Sequence, residues 1–283
     1  MSHVVADILR RAAELNLRDP RRKGNLLEAQ GPCHALVAGD IHGNRAALGK
    51  IIAHAAVEKD PNRLLLLQEV IHGPLDPRTH QDRSVELLVR VARLKEACPD
   101  RVLFVLGNHD LAQATGSEIN KDGAGVCKAF SAGVEFAYPE SGGEVLHAVK
   151  EFLLSMPLAV RLPNRVLVSH SLPSPDRMQD AGPDILTRSV RPEDLRRGGA
   201  VYEWTWGRGH TPEQIDALAS QLDVDFFVLG HRHTRAGWEM ISRRAVTLAS
   251  DHEHGCVLDL PAGAPLTAET VSDFVCPVSA LGA

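Results

Sequence analysis

Three features of the 283-residue sequence predict an α/β fold built on a parallel or mixed sheet. First, apolar runs alternate with segments of helical periodicity through the first hundred residues. Second, the run "RLLLLQ" is apolar at consecutive positions, which is typical of a strand covered on both faces. Third, glycine and polar residues follow these runs directly, as expected where ligands bind beyond the carboxyl ends of strands.

The predicted elements begin with an amphipathic helix, because apolar residues recur at helical spacing from Val4 to Leu15. The segments "HALVAGD", "RLLLLQ" and "RVLFVLGN" predict strands. The segments between them, "NRAALGKIIAHAAVEK" and "SVELLVRVARLKEA", predict helices. This β-α-β-α-β order indicates a sheet that is covered by helices.

The second half of the chain is less regular. Residues 112–143 and 171–209 have weak periodicity and are expected to be insertions that cover the strand ends. Between and after them, "EVLHAVKEFLLSMP" and "TPEQIDALASQL" predict helices, and "LAVRLPNRVLVSHS" predicts a hairpin that turns at Pro163-Asn164. "DFFVLGHRH" and two or three later runs predict strands. We expect one domain over residues 1–283, with a core of about 34–260 and a loosely attached tail at 261–283.

Composition excludes several classes of protein. Apolar residues make up 44% of the chain and charged residues 24%, which is ordinary for a soluble globular protein. The net charge of −5 gives no sign of a surface for nucleic acid. The five cysteines are scattered without a CxxC pair, which favours a reducing compartment. We expect neither a signal peptide nor a membrane span, and therefore a cytoplasmic location.

Five strand ends carry side chains that can bind metal ions. They are Asp40 with His42, Glu69, Asn108 with His109, His170, and His231 with His233. One histidine after a strand is usually a capping or packing residue. Five such ends in one chain indicate a shared site, because the loops beyond the strands can turn their side chains toward one point.

The residue types indicate the chemistry. Carboxylate oxygens and imidazole nitrogens together suit Mn, Fe or Zn better than Mg or Ca. The set contains no cysteine, which argues against a structural zinc site. Seven candidate ligands are too many for one ion and about right for two: Asp40, His42, Glu69, Asn108, His170, His231 and His233. A two-metal site needs a shared carboxylate and ions about 3.5–4 Å apart.

The motifs "GDIHGN", "GNHD", "VSH" and "GHRH" resemble, in this order, those of the calcineurin-like metallophosphoesterase superfamily. The similarity extends from about residue 34 to residue 260. "GDIHGN" and "AVTLASDHEHGCVLDL" are closer to the phosphoprotein-phosphatase branch, whereas "GHRH" is similar to the broader phosphoesterase group. The resemblance implies a four-layer α/β/β/α sandwich of two mixed sheets flanked by helices.

The resemblance also implies roles for individual residues. One metal would be held by Asp40, His42 and His233, and the other by Asn108, His170 and His231. A carboxylate of the second motif would bridge the two ions. His109 would help the leaving alkoxide to depart.

The second motif departs from the family pattern, Gly-Asp-x-x-Asp-Arg-Gly. In "QEVIHGP", Glu69 falls on the bridging aspartate, His72 on the second aspartate and Gly73 on the arginine. The extra methylene of Glu69 adds about 1.5 Å of reach, so the backbone must retreat or one ion must shift. His72 cannot orient His109 as an anion, which leaves Asp110 or Asp251 as the expected partner, or weaker support.

The missing arginine removes a bidentate clamp on phosphate. Arg208, Arg232 and Arg45 are candidate replacements, and each is equally well explained as a solvated surface residue. Tyr202, Trp204 and Trp206 are candidates for stacking on a base, although packing is the more common role of such residues.

Together these features predict a metal-dependent phosphomonoesterase, similar to protein Ser/Thr phosphatases, that uses two transition-metal ions. Two alternatives remain. One is a nucleotide or dinucleoside polyphosphate hydrolase or phosphodiesterase. The other is a regulatory protein that binds metal but has little turnover, which only the altered second motif supports. The expected partner is a phosphorylated protein or small metabolite, and neither a nucleic acid polymer nor a membrane is expected.

Overall fold

The computed structural model describes residues 2–31, 33–121, 124–261 and 263–282. Within this part of the chain the helices are α1 (Ser2–Leu17), α2 (Arg45–Ala55), α3 (Val85–Ala97), α4 (Asn108–Thr115), α5 (Val126–Ala137), α6 (Gly142–Ser155), α7 (Ala200–Trp206), α8 (Pro212–Leu222) and α9 (Val271–Phe274). The strands are β1 (Arg22–Lys23), β2 (Leu26–Glu28), β3 (His34–Asp40), β4 (Arg63–Gln68), β5 (Val102–Val105), β6 (Asn120–Lys121), β7 (Ala124–Gly125), β8 (Ala159–Arg161), β9 (Val166–Ser169), β10 (Phe226–Leu229), β11 (Trp238–Ser242), β12 (Ala245–Leu248), β13 (Cys256–Leu260) and β14 (Val275–Pro277).

The strands form two large mixed sheets. One has seven strands in the order β1-β2-β8-β9-β10-β12-β11, and the other has five in the order β14-β13-β3-β4-β5. The predicted parallel unit is present, since β3, β4 and β5 pair in parallel. Helices cover the outer faces, so the predicted four-layer α/β/β/α sandwich is confirmed.

The alternation of side chains along each strand explains the layers. In β3, Val37 points into the apolar core shared by the two sheets, while Leu36 and Ala38 pack with the helices. In β4, Leu64 and Leu66 likewise face the other sheet. The four consecutive leucines of β4 are therefore buried because each face of the strand meets a different apolar layer.

The chain after residue 261 differs from the expected loose tail. Strand β14 pairs antiparallel with β13 and forms the edge of the five-stranded sheet. Val271 is buried in the core between the sheets, and Val278 and Leu281 are buried in the core formed with the helices. The prediction was wrong because the short strand and single turns of this segment lack a periodicity long enough to be detected in the sequence.

The two irregular segments contain more structure than the sequence suggested. Residues 112–143 include the β6–β7 hairpin and α5, and residues 171–209 include three short 3-10 helices and α7. In the described residues no helix is long and apolar enough to cross a membrane.

We expect Val278→Ala to lower the free energy of unfolding, because the buried side chain anchors β14. Loss of two buried methyl groups corresponds to about 1.5 kcal/mol. Ser279→Ala, at the exposed neighbouring position, is the matched control and is expected to change stability by less than about 0.5 kcal/mol. Urea unfolding of the two variants would measure the difference. Equal stabilities would show that the segment does not contribute to the sheet.

Candidate metal centre

Strand ends from both sheets supply the candidate ligands. Asp40 ends β3, and Glu69 directly follows β4, its parallel neighbour. Asn108 is the first residue of α4, just after β5. From the other sheet, His170 follows β9 and His231 follows β10. Because these strand ends lie at one edge of the sandwich, residues separated by up to 191 positions come into contact.

One group of ligand atoms is tightly packed around Asn108. Its side-chain oxygen lies 2.9 Å from His170 Nε2 and 2.7 Å from His231 Nδ1. Glu69 Oε1 lies 3.3 Å from the same His170 nitrogen. These are the spacings expected of atoms that share one ion with metal–ligand distances of about 2.0–2.2 Å.

The proton of His170 can be located from its other neighbours. The Gln68 amide nitrogen donates to the Ala38 carbonyl at 3.0 Å, so the Gln68 carbonyl faces His170 Nδ1 at 2.8 Å and accepts its proton. His170 Nε2 therefore carries a lone pair and faces the carbonyl oxygen of Asn108. Two acceptors at this distance repel each other unless a cation lies between them, so the residues fit a metal ion.

His42 is fixed in the same way. Its Nδ1 lies 3.3 Å from the Ile71 backbone carbonyl, which can only accept, so Nδ1 carries the proton. The lone pair of His42 Nε2 then faces Glu69 Oε2 at 3.4 Å. This is a second place where two electron-pair donors meet, on the other side of the same carboxylate.

The carboxylate of Glu69 thus presents one oxygen to each histidine. Oε1 faces His170 and Oε2 faces His42, and Oε1 also accepts the His109 backbone N–H at 2.6 Å. Glu69 belongs to two clusters whose ligand atoms lie within 4.8 Å of one another, one with His42 and His109 and one with Asp40 and His170. This is the arrangement that a bridging carboxylate requires.

Glycine makes room for the longer side chain. A Cβ at Gly107 would overlap the Cγ and Oε1 of Glu69. The turn that carries the carboxylate is also unusual, because Glu69 and His72 adopt positive φ angles of 44° and 63°. Such left-handed conformations cost energy in residues other than glycine and concentrate at functional sites.

His170 and His231 remain neutral. Burial, followed by the nearby charge of Arg208, lowers the pKa of His231 to about 3. Burial, with the neighbouring His231 and His109, holds the pKa of His170 well below its usual range. Conversely, burial and the nearby Asp40 raise the pKa of Glu69. Neutral imidazoles beside buried carboxylates form a donor set that a cation stabilises.

His233 lies in a separate group. One of its nitrogens is within 4.8 Å of ligand atoms of Asp251 and His252, and its ring centroid is 5.0 Å from that of His252. The Nδ1 of His252 accepts the His254 backbone N–H at 3.2 Å, so its proton is on Nε2. His252 therefore has no free lone pair to offer a metal ion. His233 and Asp251 are the better pair of donors.

The partner of His109 is His72. Their Nδ1 atoms are 2.8 Å apart, and His72 Nε2 lies 3.0 Å from Gln113 Oε1. Neither expected carboxylate takes this place. Asp110 accepts the Gly107 backbone N–H at the start of α4, and Asp251 lies in the His233 group. The reason is geometric, because His72 in its left-handed turn points directly at the ring of His109.

The three candidate arginines differ in position. Arg208 is exposed, and its charge lowers the pKa of both His170 and His231, so it acts electrostatically on the centre. Arg232 acts on His231 in the same direction. Arg45 is exposed on α2 and forms an ion pair with Glu86 at 2.6 Å.

The three aromatic residues considered for base stacking also differ in position. Trp204 is fully buried and donates to the Ala181 carbonyl at 3.1 Å, which is a packing role. Tyr202 and Trp206 stack with their planes 14° apart and line a cavity of about 250 Å³ together with Arg197. The ring of Trp206 meets that of His231 edge-on at 6.1 Å, so this cavity adjoins the centre.

Two residues that position the histidines are absent from the sequence prediction. Gln68 fixes His170, and Gln113 contacts His72. A signal for each exists in the sequence: Gln68 is a polar residue at the end of an apolar strand, and Gln113 lies four residues after His109 on the same face of α4. Neither signal identifies the partner across the fold.

The fold and the centre together define a metal-dependent phosphoesterase. The chain matches the calcineurin-like phosphoesterase family over residues 34–235, which is more than half of its length, and it belongs to this family. It is accordingly a hydrolase of phosphoric ester bonds. No curated protein matches the chain in sequence.

Solved structures show the same fold. A Saccharomyces cerevisiae protein serine/threonine phosphatase with similarity to human phosphatase PP5 superposes with a TM-score of 0.67 at 18% identity, covering 91% of this chain and 82% of that one. The cold-active protein-tyrosine phosphatase of a psychrophilic Shewanella species gives a TM-score of 0.57 at 13% identity, covering 87% and 78%.

We expect Glu69→Asp to weaken metal binding, because the turn is arranged around the longer side chain and Asp falls short by about 1.5 Å. Metal–ligand distances tolerate only about ±0.2 Å, so one ion should be lost before the other. Glu69→Gln should also lose metal, since the amide cannot offset the positive charge. Elemental analysis of the purified variants would measure this. A Glu69→Gln protein with full metal content and activity would show that this residue bridges nothing.

Proposed function

We propose that the protein hydrolyses phosphate monoesters with a centre of two transition-metal ions bridged by Glu69. The observation that carries this proposal is the direction of the Glu69 oxygens, one toward His42 and one toward His170. In both places the lone pair of a histidine faces a carboxylate oxygen. A single ion would satisfy only one of these two contacts.

The ligands would divide between the ions as the resemblance to the family implies, with Asp40, one oxygen of which lies 3.6 Å from His170, beside both sets. The first ion would be held by Asp40, His42 and Glu69. His233, alone or together with Asp251, would be a further ligand of this ion. The second ion would be held by Glu69, Asn108, His170 and His231. Neutral imidazoles with few carboxylates favour Mn, Fe or Zn over Mg or Ca.

When bound, the two ions would neutralise phosphate charge and lower the pKa of the attacking water. The protein itself would orient the substrate. Arg208 and Arg232 are the positively charged side chains whose influence on His231 supports a role in holding phosphate oxygens. The segment that carries α7 would cover the centre and limit access of bulk water, which the contact between Trp206 and His231 supports.

The likeness to phosphoprotein phosphatases supports a phosphorylated side chain as the substrate. A second candidate is a nucleotide, and one observation favours it. The Tyr202–Trp206 stack lines a cavity beside His231, where a planar base could lie against an aromatic ring. Hydrolysis of phosphopeptides and of nucleotides by the same metal-loaded preparation would separate these candidates.

We expect purified protein to bind up to two equivalents of Mn, Fe or Zn, because two sets of electron-pair donors share Glu69. His231→Ala and Asn108→Ala should each lower the metal content, since both remove a donor from the second set. Elemental analysis and calorimetric titration with Mn²⁺ would measure this, together with hydrolysis of an aryl phosphate. Absence of affinity for any transition metal in the unaltered protein would refute the proposed centre.

We expect Arg208→Ala to weaken phosphate binding while leaving the metal content unchanged, because this residue contributes charge and is not a ligand. Loss of a charge-assisted hydrogen bond of about 1.5–3 kcal/mol corresponds to a KM raised by about 10–100-fold. The matched control is Arg45→Ala, because Arg45 is engaged by Glu86 on the exposed surface. Equal kinetics of the two variants would remove Arg208 from the site.

A further inference from the structure

Two short segments lie side by side next to the candidate metal centre. The first, residues 171–174, directly follows the candidate ligand His170 and is termed the strand-end turn. The second, residues 207–211, joins α7 to α8 and is termed the connecting segment. A Cβ on Gly207 would lie 1.8 Å from the Leu172 carbonyl oxygen, so the backbones of the two segments are in direct contact.

Side chains from both segments hold them together. The buried Ser171 hydroxyl donates to the Gly207 carbonyl at 2.7 Å. From the other side, His210 Nε2 lies 2.8 Å from the Leu172 carbonyl, and it donates because a carbonyl can only accept. The connecting segment is therefore attached to the strand-end turn near each of its ends.

Arg208 lies between these two attachments. Its backbone N–H donates to Ser174 Oγ at 3.0 Å, which is a third bond between the segments. Ser174 is itself held in place, since its backbone N–H donates to the buried carboxylate of Glu203 on α7. The backbone of Arg208 is thus fixed by hydrogen bonds at its own position and on both sides of it.

The side chain of Arg208 is exposed, in contrast to its fixed backbone. Burial is the largest cause of the low pKa of His170 and His231, and the charge of Arg208 adds to it at both rings. A long exposed side chain loses conformational entropy when it binds an anion. A fixed backbone reduces this loss, because the side chain then starts from one place and one direction.

We propose that Ser174 and His210 are positioning residues that fix the backbone of Arg208 and thereby direct its guanidinium to a phosphate group at the metal centre. This inference rests on the proposed function, because it assumes that Arg208 binds phosphate. It adds that the affinity for phosphate depends on two residues that act through Arg208.

A purely structural role of these hydrogen bonds makes a different prediction. If they only stabilise the loop, their loss affects the protein to the same extent whether or not Arg208 is present. If they position Arg208, their loss weakens phosphate binding only while the guanidinium is there to be positioned. A double-mutant cycle separates the two cases.

Titration calorimetry of the Mn²⁺-loaded protein with inorganic phosphate measures this cycle. We expect His210→Ala and Ser174→Ala each to weaken phosphate binding by about 2–10-fold, as for the loss of one hydrogen bond. In the Arg208→Ala background the same substitutions should change the affinity by less than about 2-fold. Equal losses in both backgrounds overturn the proposal.

Conservative variants and a control test the same point. His210→Gln keeps an N–H donor at a comparable reach and Ser174→Thr keeps the hydroxyl, so both should retain the affinity for phosphate. His147→Ala, at an exposed histidine of α6, is the matched control and should leave it unchanged. Elemental analysis should give the same metal content in every variant, because none of these residues is a candidate ligand. A loss in His210→Gln as large as that in His210→Ala contradicts the proposal.

Hydrolysis of an aryl phosphate gives a second measurement. We expect KM to rise in His210→Ala and Ser174→Ala while kcat changes less, as expected when binding energy common to substrate and transition state is lost. A lower kcat with an unchanged KM contradicts a role in phosphate binding. If the unaltered protein binds no phosphate when loaded with Mn, Fe or Zn, the proposed function fails and this inference with it. If it binds phosphate but the losses are independent of Arg208, only this inference fails.

Discussion

The carboxylate of Glu69 is the group on which the rest of the centre depends. It is 1% exposed and lies among acceptors that cannot stabilise its negative charge. Burying such a charge is costly unless a cation or several hydrogen-bond donors compensate for it. The His109 backbone N–H is one donor, and the two facing histidines offer lone pairs and no protons. The fold thus holds the carboxylate in a place that metal ions, more than protein groups, can stabilise.

The orientation of the histidines is determined by their outer neighbours. The Ile71 carbonyl fixes His42, and the Gln68 amide, itself held by the Ala38 carbonyl, fixes His170. Backbone carbonyls cannot change from acceptor to donor, so each of these contacts determines the inner face of a ring. The protein therefore presents lone pairs to the centre before any ligand arrives, which lowers the cost of reorganisation on binding.

The unusual residues of "QEVIHGP" are best understood as a group. Glu69 needs the space that Gly107 leaves, and His72 reaches His109 because its backbone is left-handed. His72, whose pKa is lowered to about 4 by burial, lies beside His109 where the resemblance to the family implies a carboxylate. The four-layer fold is shared with solved phosphatase structures at 18% and 13% identity, so the fold persists while the sequence differs widely.

The sequence by itself determined the parallel β-α-β-α-β unit and the residue types of the centre. Both follow from local patterns, namely the hydrophobic periodicity of each segment and the polar residues that follow each predicted strand. It did not determine that β14 completes a sheet, that Arg45 is engaged by Glu86, or that His72 is the partner of His109. Those contacts join residues that are 19 to 41 or more positions apart in the chain, and they depend on where each side chain points after folding. The tertiary structure alone decided which nitrogen of His42 and of His170 carries the proton, since that depends on a neighbour brought close by the fold.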